Sequence, residues 1–302
     1  MHTICGFDMT SAPSRQKPIT YAICSLQGNR LSLLALQGLE SLEALRQVLA
    51  EAKRHGGEGP LSDAQHDWIA GLDFPFGQAV EFLAAAGWPD EWETYVRHAG
   101  NLSREAYAQA IYSVMAKRPK GSKLIRRATD IAAESVSPMS LAYVPVGRMF
   151  HALAPVILES GADVFPLRMR GDSRILLEAY PALVARAIIG RDSYKEGSKQ
   201  QRGLRAENRA RLLQGLSAHV QETAGLELDM PQSFAETMLQ DWRGDYLDAL
   251  LCAVQAACAS RLPEWGMPQP IGGAAAEGLH TDTQTLPRMR RTEGWILGTK
   301  LP

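Results

Sequence analysis

The chain predicts an α/β fold, and three observations carry that expectation. Short apolar runs bounded by turn residues alternate with segments of helical periodicity. The N-terminal part reads as three antiparallel strands, a helix and a further strand. Two of the runs, ICGFDMTSAP (residues 4–13) and WIAGLDFPFG (68–77), also share one design: a glycine two places before an aspartate and a proline soon after. Side chains alternate faces along a strand, so Gly6 and Asp8 share a face, as do Gly71 and Asp73. If the two strands are neighbours, their carboxylates emerge side by side, roughly 5 Å apart, and repel unless a cation or proton intervenes.

Taken in order, residues 2–9 predict a short buried strand. Residues 18–27 and 30–37 predict two more, joined by the hairpin signal Gly28-Asn29. Ser41 caps a helix over 42–54, with Leu42, Leu45, Val48 and Leu49 on one face, and the HGGEGP loop ends it. Residues 68–73 form the next strand and 77–86 the helix behind it. Residues 88–140 are less regular and include the basic segment KRPKGSKLIRRATD. A helix follows over 145–161, with Pro155 as a kink. Residues 174–180 read as a strand, and Pro181 suits the first turn of the helix after it. Residues 200–222 predict a charged helix, and Gly244 precedes a strongly apolar one over 245–259. Residues 266–292 read as irregular, and WILG (295–298) as a last edge strand. No long repeat or linker stands out, so the expectation is a single domain over 1–302. Insertions fall at roughly 88–140 and 190–230, with an irregular tail.

The 302 residues, 45% of them apolar, support a sizeable core, and a formal net charge of -1 provides no global field to draw nucleic acid or a membrane. Local basic clusters must do that work. Cys5, Cys24, Cys252 and Cys258 form no CxxC and sit in apolar contexts, as buried thiols of a reducing compartment do. No signal peptide is evident and no run approaches the roughly 18 apolar residues of a membrane helix, so the expected location is cytoplasmic.

Five acids stand out. Asp8 and Asp73 end strands. Glu178, in RILLEAYP, shares a face with Leu176 and Tyr180 near a strand's carboxyl end, the edge where open α/β sheets place ligands. Asp245 and Asp248 are neighbours on one helix surface. Each has a plain structural reading: Asp8 or Asp73 as the cap of a turn, Asp245 as an N-cap after Gly244. Asp248 is harder to explain so, because the helix beyond it is almost wholly apolar and a carboxylate at its buried entrance needs a partner. Together these acids make a hard-oxygen site suited to Mg²⁺ or Mn²⁺ and to phosphoryl chemistry. No His-rich zinc pattern, GxxxxGK[ST] loop or GxSxG elbow is present.

Lys117, Arg118, Lys120, Lys123, Arg126 and Arg127 form the densest basic cluster and are candidates for phosphate contacts in a nucleic-acid cleft. A second zone, from Arg186 through Lys195 to Arg211, is diluted by Asp192, Glu196 and Glu207 and reads as a solvated face. Ser11, Ser14, Arg15 and Lys17 follow Asp8 closely enough to meet a phosphate. Phe74, Phe76, Trp88 and Trp92 lie just past Asp73, where core packing explains the phenylalanines better than base stacking does. YVPVGRMF (143–150) is an oddly apolar approach to a helix. Ordinary packing explains it as well as a role in walling the site does.

GFDMTSAPSRQKP, GLDFPFG, LLEAYPALVARAIIG and DYLDALLCAVQAA together resemble the domain-of-unknown-function family 429, regarded as predicted nucleases of the RNase H-like fold. The motifs span residues 6–257. The resemblance implies a mixed five-stranded sheet in the order 3-2-1-4-5, which sets strands one and four side by side. It also implies a metal-binding aspartate on strand one, matched by Asp8, and one on the last helix, matched by Asp248 or Asp245. Asp73 and Glu178 are both candidates for the remaining acid. The leading expectation is a metal-dependent nuclease. The rivals are a phosphotransferase of the sugar-kinase and actin-like kind, for which Gly272-Gly273 is a weak adenosine signal, and a non-catalytic nucleic-acid or nucleotide binding module.

Overall fold

The computed structural model describes residues 2–50, 68–195, 197–268 and 285–300. Strands β1 (His2–Asp8), β2 (Ile19–Gln27) and β3 (Arg30–Leu39) form an antiparallel meander. The β2–β3 turn is the predicted Gly28-Asn29, with Gly28 at a φ of 56° that suits a tight hairpin. Helix α1 (Leu42–Ala50) buries Leu45, Val48 and Leu49, and the Ser41 hydroxyl accepts a hydrogen bond from the Ala44 amide at 3.1 Å. The predicted end of this helix and the HGGEGP loop lie outside the described residues. Strand β4 (Trp68–Asp73) then runs parallel to β1 and beside it.

The sheet is mixed and seven-stranded, in the order β5-β6-β4-β1-β2-β3-β7, where five strands were expected. Its inner five include β6 (Arg174–Glu178) beside β4. The two unforeseen strands are β5 (Asp163–Val164) and β7 (Glu227–Asp229), one at each edge. With two and three residues they are too short to show any alternation in sequence.

Helices cover both faces. Cys5, Phe7, Ala70, Leu72 and Leu176 point to one side. There they meet α1, α2 (Val80–Ala86), α3 (Trp92–Gly100), α4 (Arg104–Ala116) and α6 (Val146–Ser160). Ile4, Cys24, Ile69 and Leu177 point to the other, against α7 (Pro181–Ile189), α8 (Arg202–Ala224), α9 (Gln232–Gln240) and α10 (Asp245–Ala259). α5 (Ala128–Ala132) and α11 (Thr285–Arg288) complete the helices among the described residues. None of these is long and apolar enough to cross a membrane. All four cysteines are buried and free.

Three expectations need correction near the site. The helix expected from residue 77 starts at Val80, after an extended Ala79, and Gly77 lies so close to the C-terminal segment that a Cβ there would sit 2.4 Å from the carbonyl oxygens of Thr292 and Glu293. Nor are residues 285–292 irregular: they form α11 and a π-turn over Met289–Glu293, with Met289 buried. The Glu293 carboxylate accepts from the amide of Val80 at 3.2 Å and of Ala128 at 3.0 Å, supplying a partner to the free amides at the starts of α2 and α5. WILG contributes one parallel bridge, Ile296 to Glu178, rather than a strand.

Candidate functional site: a carboxylate cluster at the strand ends

The repeated glycine-x-aspartate pattern is explained by what crosses it. Helix α10 lies directly on β1 and β4. A Cβ on Gly6 would sit 2.1 Å from Ala249 O and Ala253 N, and one on Gly71 would sit 2.5 Å from Cys252 O. Only glycine permits that approach. Gly6 pairs with Gly71 in register, and two residues on, Asp8 pairs with Asp73. The same crossing brings Asp248, one helical turn into α10 and fully buried, against both. Asp8, Asp73 and Asp248 each offer an oxygen within 4.8 Å of the others.

Burial dominates the ionisation of the two strand-end carboxylates. Burial pushes Asp8 up to about 8, with Asp73 and Asp245 adding to the rise while Lys195 and Lys17 oppose it. Burial also lifts Asp73, to about 6, with Glu178 adding and Lys195 opposing. Asp248 accepts a hydrogen bond from the Tyr194 hydroxyl at 2.5 Å on Oδ1, and its Oδ2 is in ion-pair contact with the Lys195 ammonium. One lysine thus answers the charge of the whole cluster. Its loop, between α7 and α8, has glycines at positive φ on either side, Gly190 and Gly197.

The remaining acids stand apart from the trio. Glu178 ends β6, but both its oxygens are taken: Oε1 by Arg127 Nη2 at 2.6 Å, Oε2 by Arg127 Nη1 at 2.8 Å and by the Phe76 amide at 3.0 Å. Burial raises its pKa and Arg127 holds it down. Asp245 lines the same cleft, and Thr20 Oγ1 donates to its carbonyl at 2.8 Å. It is not the N-cap: Gly244 holds that position at φ 77°, and the Asp241 carboxylate accepts from the Tyr246 amide at 3.0 Å.

The basic candidates divide in a way that charge density did not foretell. Arg127, expected to meet phosphate, is buried. It donates to Asp130 at 3.0 and 2.7 Å, to Glu178, and to the Glu293 carbonyl at 2.8 Å, which uses all five of its N–H groups. Lys123 and Arg126 are exposed, and neither they nor Arg15 line the cleft. Ser11 and Lys17 do line it. So do Arg186, Arg191 and Lys195 of the zone that read as a solvated face, and Arg243. Charge density cannot signal this, because these residues come to the strand ends from separate places: Arg186 on α7, Arg191 and Lys195 in the α7–α8 loop, and Arg243 just before α10.

The cleft so lined has a volume of about 780 Å³ and opens at the carboxyl ends of β1, β4 and β6. Phe74, Phe76, Trp88 and Trp92 are buried, as core packing requires, and of the four only Phe74 borders the cleft. No curated protein and no solved structure matches the chain. A family model does match, over residues 20–262, a span holding Asp73, Glu178 and Asp248 and starting after Asp8. The chain therefore belongs to the family described as protein of unknown function (DUF429).

Proposed function

We propose that the protein is a metal-dependent phosphodiesterase acting on nucleic acid, built on an RNase H-like core. The observation that carries the reading is the trio Asp8, Asp73 and Asp248, brought from two parallel strands and one helix to within 4.8 Å. An all-carboxylate donor set suits a hard divalent cation, Mg²⁺ or Mn²⁺. Asp8, Asp73 and Asp248 would hold it, and a bound ion there supplies Lewis acidity and an activated water. The raised pKa values of Asp8 and Asp73 fit the same view, since without a cation such a cluster retains protons.

The chain's own residues supply the rest. Lys17, Arg186, Arg191 and Arg243 ring the cleft with positive charge suited to backbone phosphates. Lys195 offsets carboxylate charge that would otherwise repel the substrate. Glu178 and Arg127 form a fixed wall rather than a ligand and a phosphate clamp. The order of the inner five strands, with β1 at the centre and β4 beside it, supports the RNase H-like assignment. The phosphotransferase reading draws on the same sheet edge, but its adenosine signal, Gly272-Gly273, lies outside the described residues.

The test is cleavage of labelled RNA and DNA, single-stranded, duplex and branched, with Mg²⁺ or Mn²⁺ and with chelator. Metal-dependent cleavage that Asp8→Asn and Asp248→Asn abolish is expected. Absence of any metal-dependent cleavage removed by Asp8→Asn sinks the proposal.

A further inference from the structure

The rim of the cleft carries a feature the phosphodiester chemistry does not use. Tyr143 is 104% exposed and sits at φ 60°, in the left-handed region that non-glycine residues occupy at a cost. Val144 and Val136 beside it in the cleft lining are 52% and 38% exposed. An aromatic ring held in a strained conformation with no packing to repay it is unexplained by the fold.

The platform beneath it is firm. Met139 and Leu141 are buried, the Gly147 amide donates to Ser140 O at 2.8 Å, and Val146 donates to Val144 O at 2.9 Å. Gly147 is pressed so close that a Cβ would lie 2.5 Å from Pro138 O. The tip is thus presented by an anchored turn, which lowers the ordering cost of binding. The same cleft is lined by cationic groups, Arg186, Arg191 and Lys195 among them. An apolar planar face beside cations is the complement of a nucleotide, whose base stacks while its phosphate is neutralised.

We infer that Tyr143 is a base-stacking platform and that the cleft takes nucleic acid with an unpaired base next to the phosphate held at the carboxylates. In a duplex both faces of each base are already covered by neighbours, so the ring would have nothing to receive. The inference rests on the nucleic-acid reading above and narrows it to single-stranded or locally unpaired substrates.

The test is fluorescence anisotropy with a labelled single-stranded oligonucleotide and its duplex, in Ca²⁺, which takes the same oxygen ligands. Tyr143→Ala is expected to weaken single-strand binding by about tenfold. Tyr143→Phe should retain it, and duplex binding should change by less than about twofold in either variant. Tyr143→Gly should lose binding like the alanine variant without lowering the melting temperature, because glycine accepts the positive φ. Unchanged single-strand affinity in Tyr143→Ala overturns the inference. A lower melting temperature or a smaller oligomer in that variant overturns it too, since the ring would then serve packing or self-association. Failure of the wild-type protein to bind either nucleic acid strikes instead at the nucleic-acid reading itself.

Discussion

Lys195 is the residue on which the electrostatics turn. Its charge lowers the pKa of Asp8, Asp73 and Asp245, and it is in ion-pair contact with Asp248. On the proposed function it takes the place a divalent cation would occupy and would compete with one. Lys195→Met should raise Mn²⁺ affinity by about tenfold, on the order of 1.4 kcal/mol, as read by titration calorimetry. Weaker Mn²⁺ binding in that variant would instead make Lys195 a supporting partner of the bound state. Charge runs in the sequence pointed elsewhere, to Lys123, Arg126 and Arg127. Density of lysine and arginine measures local composition, whereas Lys195 matters through a loop that folds back over the strand ends.

At the scale of elements, the controlling contact is α10 on β1 and β4. Gly71→Ala places a methyl 2.5 Å from Cys252 O, a backbone atom that cannot move without the helix. The expected cost is about 1–3 kcal/mol by urea denaturation. Because Asp248 travels with the helix, Mn²⁺ affinity should fall in the same variant. An alanine in β4 that lowers stability but leaves metal binding intact would show that helix and site are not geometrically linked. The pairing of Asp8 with Asp73 was legible in the sequence, since a period of two puts each glycine and aspartate on one face. The purpose of the glycines was not, because their partner helix lies far away in the chain. The partner of Glu178 was hidden for a similar reason. Its position at a strand end is real, but its partner Arg127 is 51 residues away, in a segment whose charge density pointed to phosphate contacts.

For the whole molecule, the cluster makes stability depend on pH in an unusual sense. Asp8 has a folded-state pKa of about 8 against 3.8 for its ordinary value. As pH rises from about 4, the unfolded chain releases this proton first, so the folded state binds more protons and loses stability progressively up to about pH 8. Asp73, raised to about 6, contributes in the same direction over a narrower window. In chelator, Asp8→Asn should therefore gain melting temperature relative to wild type as pH climbs from 4 to 8. Added Mn²⁺ should stabilise only the wild type, most strongly at the alkaline end, where the ligands are ionised. A difference between the two proteins that is flat in pH would refute the raised pKa. The five long strands were readable at this scale, because each is an apolar run with turn residues at its ends. The edge strands and the ordered C-terminal segment were not, since their pairing depends on contacts that no local pattern announces.

The Glu293 carboxylate that receives the amides of Val80 and Ala128 also sets a timetable. It leaves the ribosome 165 residues after Ala128 and 213 after Val80. Until then the starts of two helices lack their acceptor, and Arg127 lacks the carbonyl that completes its hydrogen bonds. The cleft wall thus closes only once this segment has emerged, and a chain stopped before it would carry its three aspartates beside an unfinished wall.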